Sequence, residues 1–381
     1  MRRGALLALA FLALSSGGSG AAPAAPTLTL TGPVKELAAD GGRAAIVLQT
    51  SRPRCTSTRI AVWQPSTRSL APIGVSPCSE SLSTGAGIYS VALAGKRVAY
   101  VQFGGGNIRE LQLRSTTLPE RRPVTIASAS FGLDEISGTY IGRAAGDGAL
   151  LAFDWWNVCP ACAGAARPQP DRSAVWRVLG SGSACPDAGL GALRRCTVVR
   201  AGFGAMRLLS VAGGSLALLQ PDGSVVVTNP AGETKATIPF AAGELRAARL
   251  DTDGFTLAAL VAAGGRNALR VFDTVGSLVR TFPLPAARTS GDATCGDPNG
   301  CRAVALRLED LQSGIAVYVL GRDIHLLRLA DGKSATVTAP GRSPVHAQLE
   351  PDGLYYSYSL TSRSSRVAFL PFAAVLARLG S

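Results

Sequence analysis

Between Met206 and Phe240 the apolar residues gather into four short runs, Met206–Val211, Ser215–Gln220, Ser224–Thr228 and Thr234–Phe240. Each has the length of a β-strand. The breaks between them are Ala212-Gly213-Gly214, Pro221-Asp222-Gly223 and Asn229-Pro230-Ala231-Gly232. Glycine supplies a positive φ and proline a preset one, so each break predicts a tight turn. A four-stranded meander of about 37 residues cannot bury its own faces and needs neighbours of the same kind. The rest of the chain repeats the pattern. Glycine-centred turns recur at Asp40-Gly41, Gly95-Lys96, Asp147-Gly148, Gly213-Gly214, Asp253-Gly254, Ser313-Gly314 and Asp352-Gly353. An apolar run follows each one: Ala44–Leu48, Val98–Phe103, Ala149–Phe153, Ser215–Leu219, Phe255–Val261, Ile315–Leu320 and Leu354–Leu360. A more alternating run comes next, as at Arg59–Trp63, Ile108–Leu113, Ala174–Leu179, Ala268–Phe272, Ile324–Leu329 and Arg366–Leu370. Continuous apolar character predicts a second strand buried on both faces, and alternation a third strand nearer the rim.

Units that each require a neighbour predict an all-β chain: a single β-propeller of about seven four-stranded blades, with six or eight as alternatives. The last unit has three clear strands and then a short helical tail, Ala373–Leu379. The isolated strand Thr27–Thr31 is expected to fill the fourth place and close the ring, pairing two otherwise open edges. The pattern resembles the WD40-like or TolB-like propeller repeats of bacterial envelope proteins. That likeness rests on the Pro-Asp-Gly turns at 221–223 and 351–353, while no Trp-Asp pair ends any unit. The resemblance implies the fold and no particular activity.

The first residues change the expected location. Arg2 and Arg3 form a basic start, Ala5–Leu14 is apolar, and Ser15–Ala22 is small and polar. This predicts a secretory signal peptide over 1–21, a linker over 22–26 and the propeller over 27–381. The product is expected to be secreted or held in the cell envelope, with no membrane span. The net charge of +13 comes from 38 Lys and Arg against 25 Asp and Glu. These charges are scattered, without the basic run and interleaved aromatics that nucleic-acid binding calls for. The Arg excess is read as genomic base-composition bias.

Eight cysteines in an exported chain predict disulfides. In a four-stranded blade the loops after strands two and four share one face. Cys55 and Cys78 occupy those two places in the first unit and are expected to pair. Cys295 and Cys301 close a small ring in the loop entering the sixth unit. Cys185 is paired with Cys196 across the last hairpin of the third unit, leaving Cys159 with Cys162; a crossed arrangement of these four is the rival. The Cys159-Pro160-Ala161-Cys162 spacing also suits a redox motif, but that chemistry needs a helix to lower the thiol pKa. Pro168 and Pro170 make the following segment a poor one. No metal and no cofactor is expected, since two histidines and no ligand spacing offer little to a cation.

The candidate binding residues flank the same loop. Asp154-Trp155-Trp156-Asn157 leads into it, and Arg167, Asp171 and Arg172 follow. Adjacent tryptophans at a strand end offer flat apolar surface with N–H donors, though packing between blades explains them too. Asp251-Thr252-Asp253-Gly254 has the start of a calcium loop, yet strand follows at once, so a hairpin turn is expected. His325 is expected to be packed or solvated; His346 is placed near the start of an inner strand, where it faces a central channel. No nucleophile elbow, phosphate loop or zinc-protease helix is present. These features favour a non-catalytic binding or scaffold propeller recognising a protein, peptide or glycan of the envelope. The alternative is a hydrolase or lyase acting on an extracellular polymer through channel residues.

Overall fold

The repeated glycine turn and apolar run become the first hairpin of one small antiparallel sheet after another. The structure is a computed structural model and describes residues 25–79, 85–132, 137–158, 170–180, 196–273, 275–289 and 306–380. The signal-peptide residues, and Cys159, Cys162, Cys185, Cys295 and Cys301, lie outside them.

The first sheet runs in the order β2 (Val34–Asp40), β3 (Arg43–Arg52), β4 (Cys55–Gln64) and β5 (Ser69–Val75). An eight-stranded sheet follows, made of two meanders. One is β6 (Ala86–Ala94), β7 (Arg97–Gly105), β8 (Ile108–Thr117) and β9 (Val124–Gly132). The other is β10 (Ser137–Asp147), β11 (Leu150–Val158), β12 (Pro170–Val178) and β13 (Cys196–Phe203). Among the described residues the strand pairing between the two is Ser137 opposite Gly132 and Gly138 opposite Phe131. Next come β14 (Arg207–Ala212), β15 (Ser215–Leu219), β16 (Val225–Thr228) and β17 (Thr234–Ile238), the meander first seen in the sequence. The next sheet holds β18 (Leu245–Leu250), β19 (Leu257–Ala263), β20 (Arg266–Phe272) and β21 (Leu278–Leu284). Another holds β22 (Arg307–Gln312), β23 (Ile315–Leu320), β24 (Asp323–Arg328) and β25 (Ser334–Thr338). The last three strands are β26 (Arg342–Glu350), β27 (Gly353–Thr361) and β28 (Ser364–Pro371), followed by the helix α1 (Phe372–Arg378). Their fourth partner is β1 (Thr27–Thr31), which runs antiparallel to β28 from Thr27 opposite Ala368 to Thr31 opposite Ser364.

Burial follows the expected gradient. Leu216–Leu218 of β15 and Leu257–Leu260 of β19 are fully enclosed, because both faces of a second strand meet neighbouring sheets. The outer strand β21 is exposed over most of its length. Each apolar cluster among the described residues spans two successive meanders. One joins Val227 and Ile238 to Leu250 and Leu257, and another joins Leu30, Tyr355 and Val367 to Ile46 and Trp63. No meander has a core of its own. This is the packing of a β-propeller.

The first strands contact one another in succession, β2 with β6, then β10, β14, β18, β22 and β26, and β26 touches β2. Each is the inner edge of its meander, so beyond the short β9–β10 pairing its outward N–H groups, and those of the turn that follows it, have no strand to pair with. Side chains supply the acceptors. Asp40 Oδ2 accepts from the backbone N–H groups of Gly95 and Gly148, at 2.5 and 2.8 Å. Ser90 Oγ accepts from Ala144 N–H (3.0 Å), and Asp147 Oδ2 from Gly213 N–H (2.8 Å). Ser210 Oγ accepts from Leu250 N–H at 3.2 Å, and Asp251 Oδ2 from Gly314 N–H at 2.6 Å. Asp310 Oδ2 accepts from Leu349 N–H (2.8 Å), and Gln348 Oε1 from Ala39 N–H (2.7 Å). Every first strand also carries a register irregularity against its second strand. Such bulges sharpen the twist and re-aim side chains toward the axis.

Cys55 and Cys78 form a disulfide, with Cα atoms 5.0 Å apart, as the shared loop face required. Cys196, at the start of β13, is disulfide-bonded as well. The Asp251–Gly254 segment is a hairpin turn: Asp253 Oδ1 accepts from the N–H groups of Phe255 and Thr256.

The hairpin end of the axis is acidic. Glu350, only 8% exposed, is pushed up to about 10 by burial and then by the carboxyls of Asp310, Asp40, Asp147 and Asp352. A carboxyl raised on folding binds a proton that the unfolded chain releases. Stability is therefore complete below the ordinary carboxyl range and is lost as pH rises toward 10, by about 1.4 kcal/mol per pH unit from this one group. Melting followed between pH 5 and 9 should show a shallower decline for Glu350→Gln than for the parent; equal slopes would remove Glu350 as the source. Asp40→Ala strands two N–H groups at once and should cost about 2–4 kcal/mol in denaturant unfolding. A cost within 0.5 kcal/mol, about that of an ordinary surface change, would mean these bonds are not structural.

Candidate functional site

Among the described residues the first strands β2, β6, β10, β14, β18, β22 and β26 enclose a cavity of about 350 Å³ around the axis. One wall is built at the bulge in β10, where register is lost between Ile141 and Ala144. Gly142 sits in that bulge because nothing larger fits: a Cβ there would lie 2.2 Å from the Trp156 ring and 2.4 Å from Asp154 Oδ1. The bulge turns Arg143 N–H onto Asp154 Oδ1, while Asp154 Oδ2 accepts from Leu208 N–H of the next meander at 3.0 Å. Burial pushes Asp154 up to about 6, opposed by these two bonds and by Arg207 and Arg143.

Trp156, one pleat beyond Asp154 on the same side of β11, lies flat on Tyr140, with ring centroids 4.9 Å apart and planes within 17°. The Arg207 guanidinium, at the start of β14, stands 5.6 Å from the Trp156 ring centre. The aromatic row continues from Tyr140 to Tyr89 at 6.2 Å and from Tyr89 to Phe103 at 5.8 Å. Arg109 ends it, 5.0 Å from the Phe103 ring. Tyr89 is anchored by donating its hydroxyl proton to the Ile141 carbonyl of the next meander. Stacked pairs and cation–π contacts each contribute on the order of 1 kcal/mol, so the row is rigid before any ligand arrives.

The facing wall is polar. Arg307 of β22 donates to the Val345 carbonyl and pairs with Glu309 Oε1 at 2.6 Å. Arg249 is buried against main-chain carbonyls, donating to Glu309 O at 2.8 Å and Ala248 O at 3.0 Å. Asp310, raised to about 6 mainly by burial, is held by Leu349 and Leu311 N–H groups. His346 lines the same cavity, though from the middle of β26, which begins at Arg342, and not from near the strand's start. Burial first, then Arg307 and Lys35, lowers it to about 3, against a backbone bond at Val34. In all, Lys35, Arg143, Arg207, Arg249 and Arg307 reach the cavity from five different first strands.

Of the residues singled out in the sequence, Trp156 is at this cavity. Trp155 points to the other face of β11, as the pleat demands, and is 6% exposed within the cluster between the second and third meanders. Arg172 is on β12, with its guanidinium 5.7 Å from the ring of Phe203, and does not line the cavity. Arg167 lies outside the described residues, as does the side chain of Asp171. His325 stacks on Tyr318 at 4.7 Å on β24, away from the axis. Tyr89, Tyr140, Arg207 and Arg307 escaped notice in the sequence. The signal is positional: counting back from the hairpin, Lys35, Tyr89, Arg207 and Arg307 each stand five residues before the last residue of β2, β6, β14 and β22.

No protein-family model matches the chain, and no curated protein matches it. Similar solved structures include the acylaminoacyl peptidase of Pyrococcus horikoshii, 10% identical, with a TM-score of 0.49 over 90% of this chain and 51% of that one. An oligogalacturonate lyase in complex with manganese is 11% identical, with a TM-score of 0.46 over 92% of this chain and 100% of that one. TolB from Acinetobacter baumannii is 14% identical, with a TM-score of 0.36 over 67% and 55%. The chain thus spans about half the length of the peptidase. Likenesses this distant carry nothing about activity, and the propeller fold rests on the chain's own sheet order and inter-sheet packing.

Proposed function

We propose that this chain is an exported, non-catalytic binding propeller of seven blades over residues 27–381, with β1 completing the last blade. Its ligand, a protein, peptide or glycan of the cell envelope, is recognised at the axial cavity beside Trp156. The observation that carries this reading is the fixed stack of Tyr140, Trp156 and Arg207 opening onto that cavity. Ordered aromatic and guanidinium groups lose little freedom on binding, which is what makes such residues effective anchors. Trp155 has a supporting place in this proposal, packing beneath the strand end that presents Trp156. Arg167, and Asp171 near the start of β12, would extend the contact surface, with Arg172 at its margin.

The second reading, a polymer hydrolase or lyase, draws on His346 and Glu309 at the same cavity. Binding is favoured because the acids there already have structural work. Asp154 and Asp310 accept main-chain N–H bonds that tie one meander to the next, and Glu309 is paired with Arg307. General acid–base catalysis needs a carboxyl that is free to exchange a proton with substrate.

The test is retention of envelope components on immobilised protein. Trp156→Ala and Gly142→Val, which displaces the indole, should each reduce retention at least about tenfold, as expected for a hot-spot anchor. Arg172→Ala should reduce it less. Equal retention by all four proteins would place recognition elsewhere, and turnover of an envelope polymer that survives Trp156→Ala would favour the enzymatic reading.

A further inference from the structure

Arginines that are scattered along the sequence are gathered by the topology. In an antiparallel meander, the turn between strands two and three stands at the end where the first strand begins, and so does the link to the next meander. At that end of the sixth, seventh and first meanders, consecutive around the axis, stand Arg322, Arg342, Arg363, Arg52 and Arg54, all exposed. Contacts between the meanders make them one arc. Ser343 Oγ donates to the Gly321 carbonyl at 2.7 Å, which sets Arg342 beside the Arg322 turn. Arg342 lies opposite Ser359, near the turn that holds Arg363. The Arg363 carbonyl accepts from Gly32 N–H at 2.8 Å, and Arg59 of the first meander donates to the Thr31 carbonyl at 3.3 Å. The Cys55–Cys78 disulfide ties the Arg52–Arg54 turn to the link after β5. Among the described residues no ion pair or hydrogen bond engages the side chains of the five exposed arginines.

The acids at this end are few or occupied. Asp323 accepts from the Thr338 hydroxyl at 2.7 Å, while Glu244 and Glu309 pair with Arg270 and Arg307. Glu36 lines the axial cavity. Glu110 and Asp222 are exposed, on the second and fourth meanders, and the exposed Arg172, Arg266 and Arg288 stand at the same end. The end also exposes Val75, Ile108 and Phe203, the last by 79%. Each of these has an arginine next to it: Val75 stands opposite Arg59, Ile108 precedes Arg109, and Phe203 stands opposite Arg172. Apolar tips set among guanidinium groups suit a lipid interface, where the tips enter the acyl boundary and the charges meet headgroup phosphates. A dissolved polyanion would use the charges and leave the tips in water.

We propose that the end of the propeller bearing Arg322, Arg342, Arg363, Arg52 and Arg54 docks on an anionic lipid surface, with Val75, Ile108 and Phe203 entering the interface. This goes beyond the binding reading above and does not depend on Trp156. The hairpin end exposes apolar residues too, Val275, Leu278 and Val279 among them. There, however, the exposed bases Lys96, Arg121 and Arg122 are interspersed with exposed Glu120, Asp253, Asp331 and Asp352, and Glu350 stands among further carboxyls. An anionic surface is repelled by those acids and attracted by the arginine arc, so the charges choose which end faces the lipid.

The test is flotation of the full chain with vesicles of phosphatidylcholine alone and of phosphatidylcholine mixed with phosphatidylglycerol. The expected result is partition onto the anionic vesicles only, weakening as salt is raised because exposed charges are screened. Each arginine held at an anionic bilayer strengthens partition about fivefold, so Arg322→Gln, Arg342→Gln and Arg363→Gln combined should weaken it about a hundredfold. The matched triple change at the hairpin end, Lys96→Gln, Arg121→Gln and Arg122→Gln, should leave it unchanged. Phe203→Ser with Ile108→Ser should weaken partition about tenfold, at high salt as at low. Circular dichroism checks that each variant folds. No partition onto anionic vesicles, or equal losses in the two triple variants, would overturn the docking end. Partition indifferent to the serine changes would overturn the lipid assignment in favour of a soluble polyanion. Trp156→Ala should float like the parent. Failure of envelope retention with intact flotation then counts against the Trp156 surface alone, and the reverse pattern against the docking end alone.

Discussion

The unpaired inner edge of each meander is the constraint from which the rest of the architecture follows. A strand at the axis has its ladder on one side, and most N–H groups on its other side and in the turn after it have no strand to pair with. Leaving them unsatisfied would cost on the order of 1–3 kcal/mol each. The chain answers with short acceptors, Asp, Ser and Gln, placed so that one meander's side chain takes the next meander's N–H. These bonds do what a continuous ladder would do in an ordinary sheet. They also set the distance between neighbouring meanders, and so the packing of Val227 against Leu257 or of Leu30 against Ile46.

That solution has an electrical consequence. Most carboxyl acceptors stand where the first strands end, at Asp40, Asp147, Asp251 and Asp310, and all of these but Asp251 act on Glu350. The starts of the same strands carry Lys35, Arg207 and Arg307 instead. The axis therefore runs from an aromatic-walled end of mixed charge, where Glu36 and Glu309 stand among these bases, to an acidic hairpin end. On the proposed account, structure and recognition divide along it: acids hold the blades together at one end, and bases with Trp156 meet the ligand at the other.

Much of this was legible in the sequence, because strand burial and turn chemistry are local. Ser215–Leu219 is read as a strand for its apolar run and its flanking glycines, and the structure has it with those bounds. Thr27–Thr31 was readable as a strand in search of an edge. The Cys55–Cys78 bridge followed once the strands were ordered. What was hidden is what depends on distant partners. Asp40 reads as an ordinary turn aspartate, since nothing local links it to Gly148, 108 positions away. Adjacent tryptophans must face opposite ways in a strand, but which of them reaches the cavity depends on how β11 lies against its neighbours. Arg207 carries no motif at all; its role comes from standing first on an inner strand beside Trp156.

The measurement that bears most directly on this account is amide hydrogen exchange at Ala39, Gly95, Ala144, Gly148, Gly213, Leu250, Gly314 and Leu349. If side-chain acceptors close the inner edges, these amides exchange slowly, and Asp40→Ala accelerates Gly95 and Gly148 well beyond the others. Fast exchange at these positions in the parent protein would contradict the central claim, as would an Asp40→Ala variant in which Gly95 and Gly148 remain as protected as before.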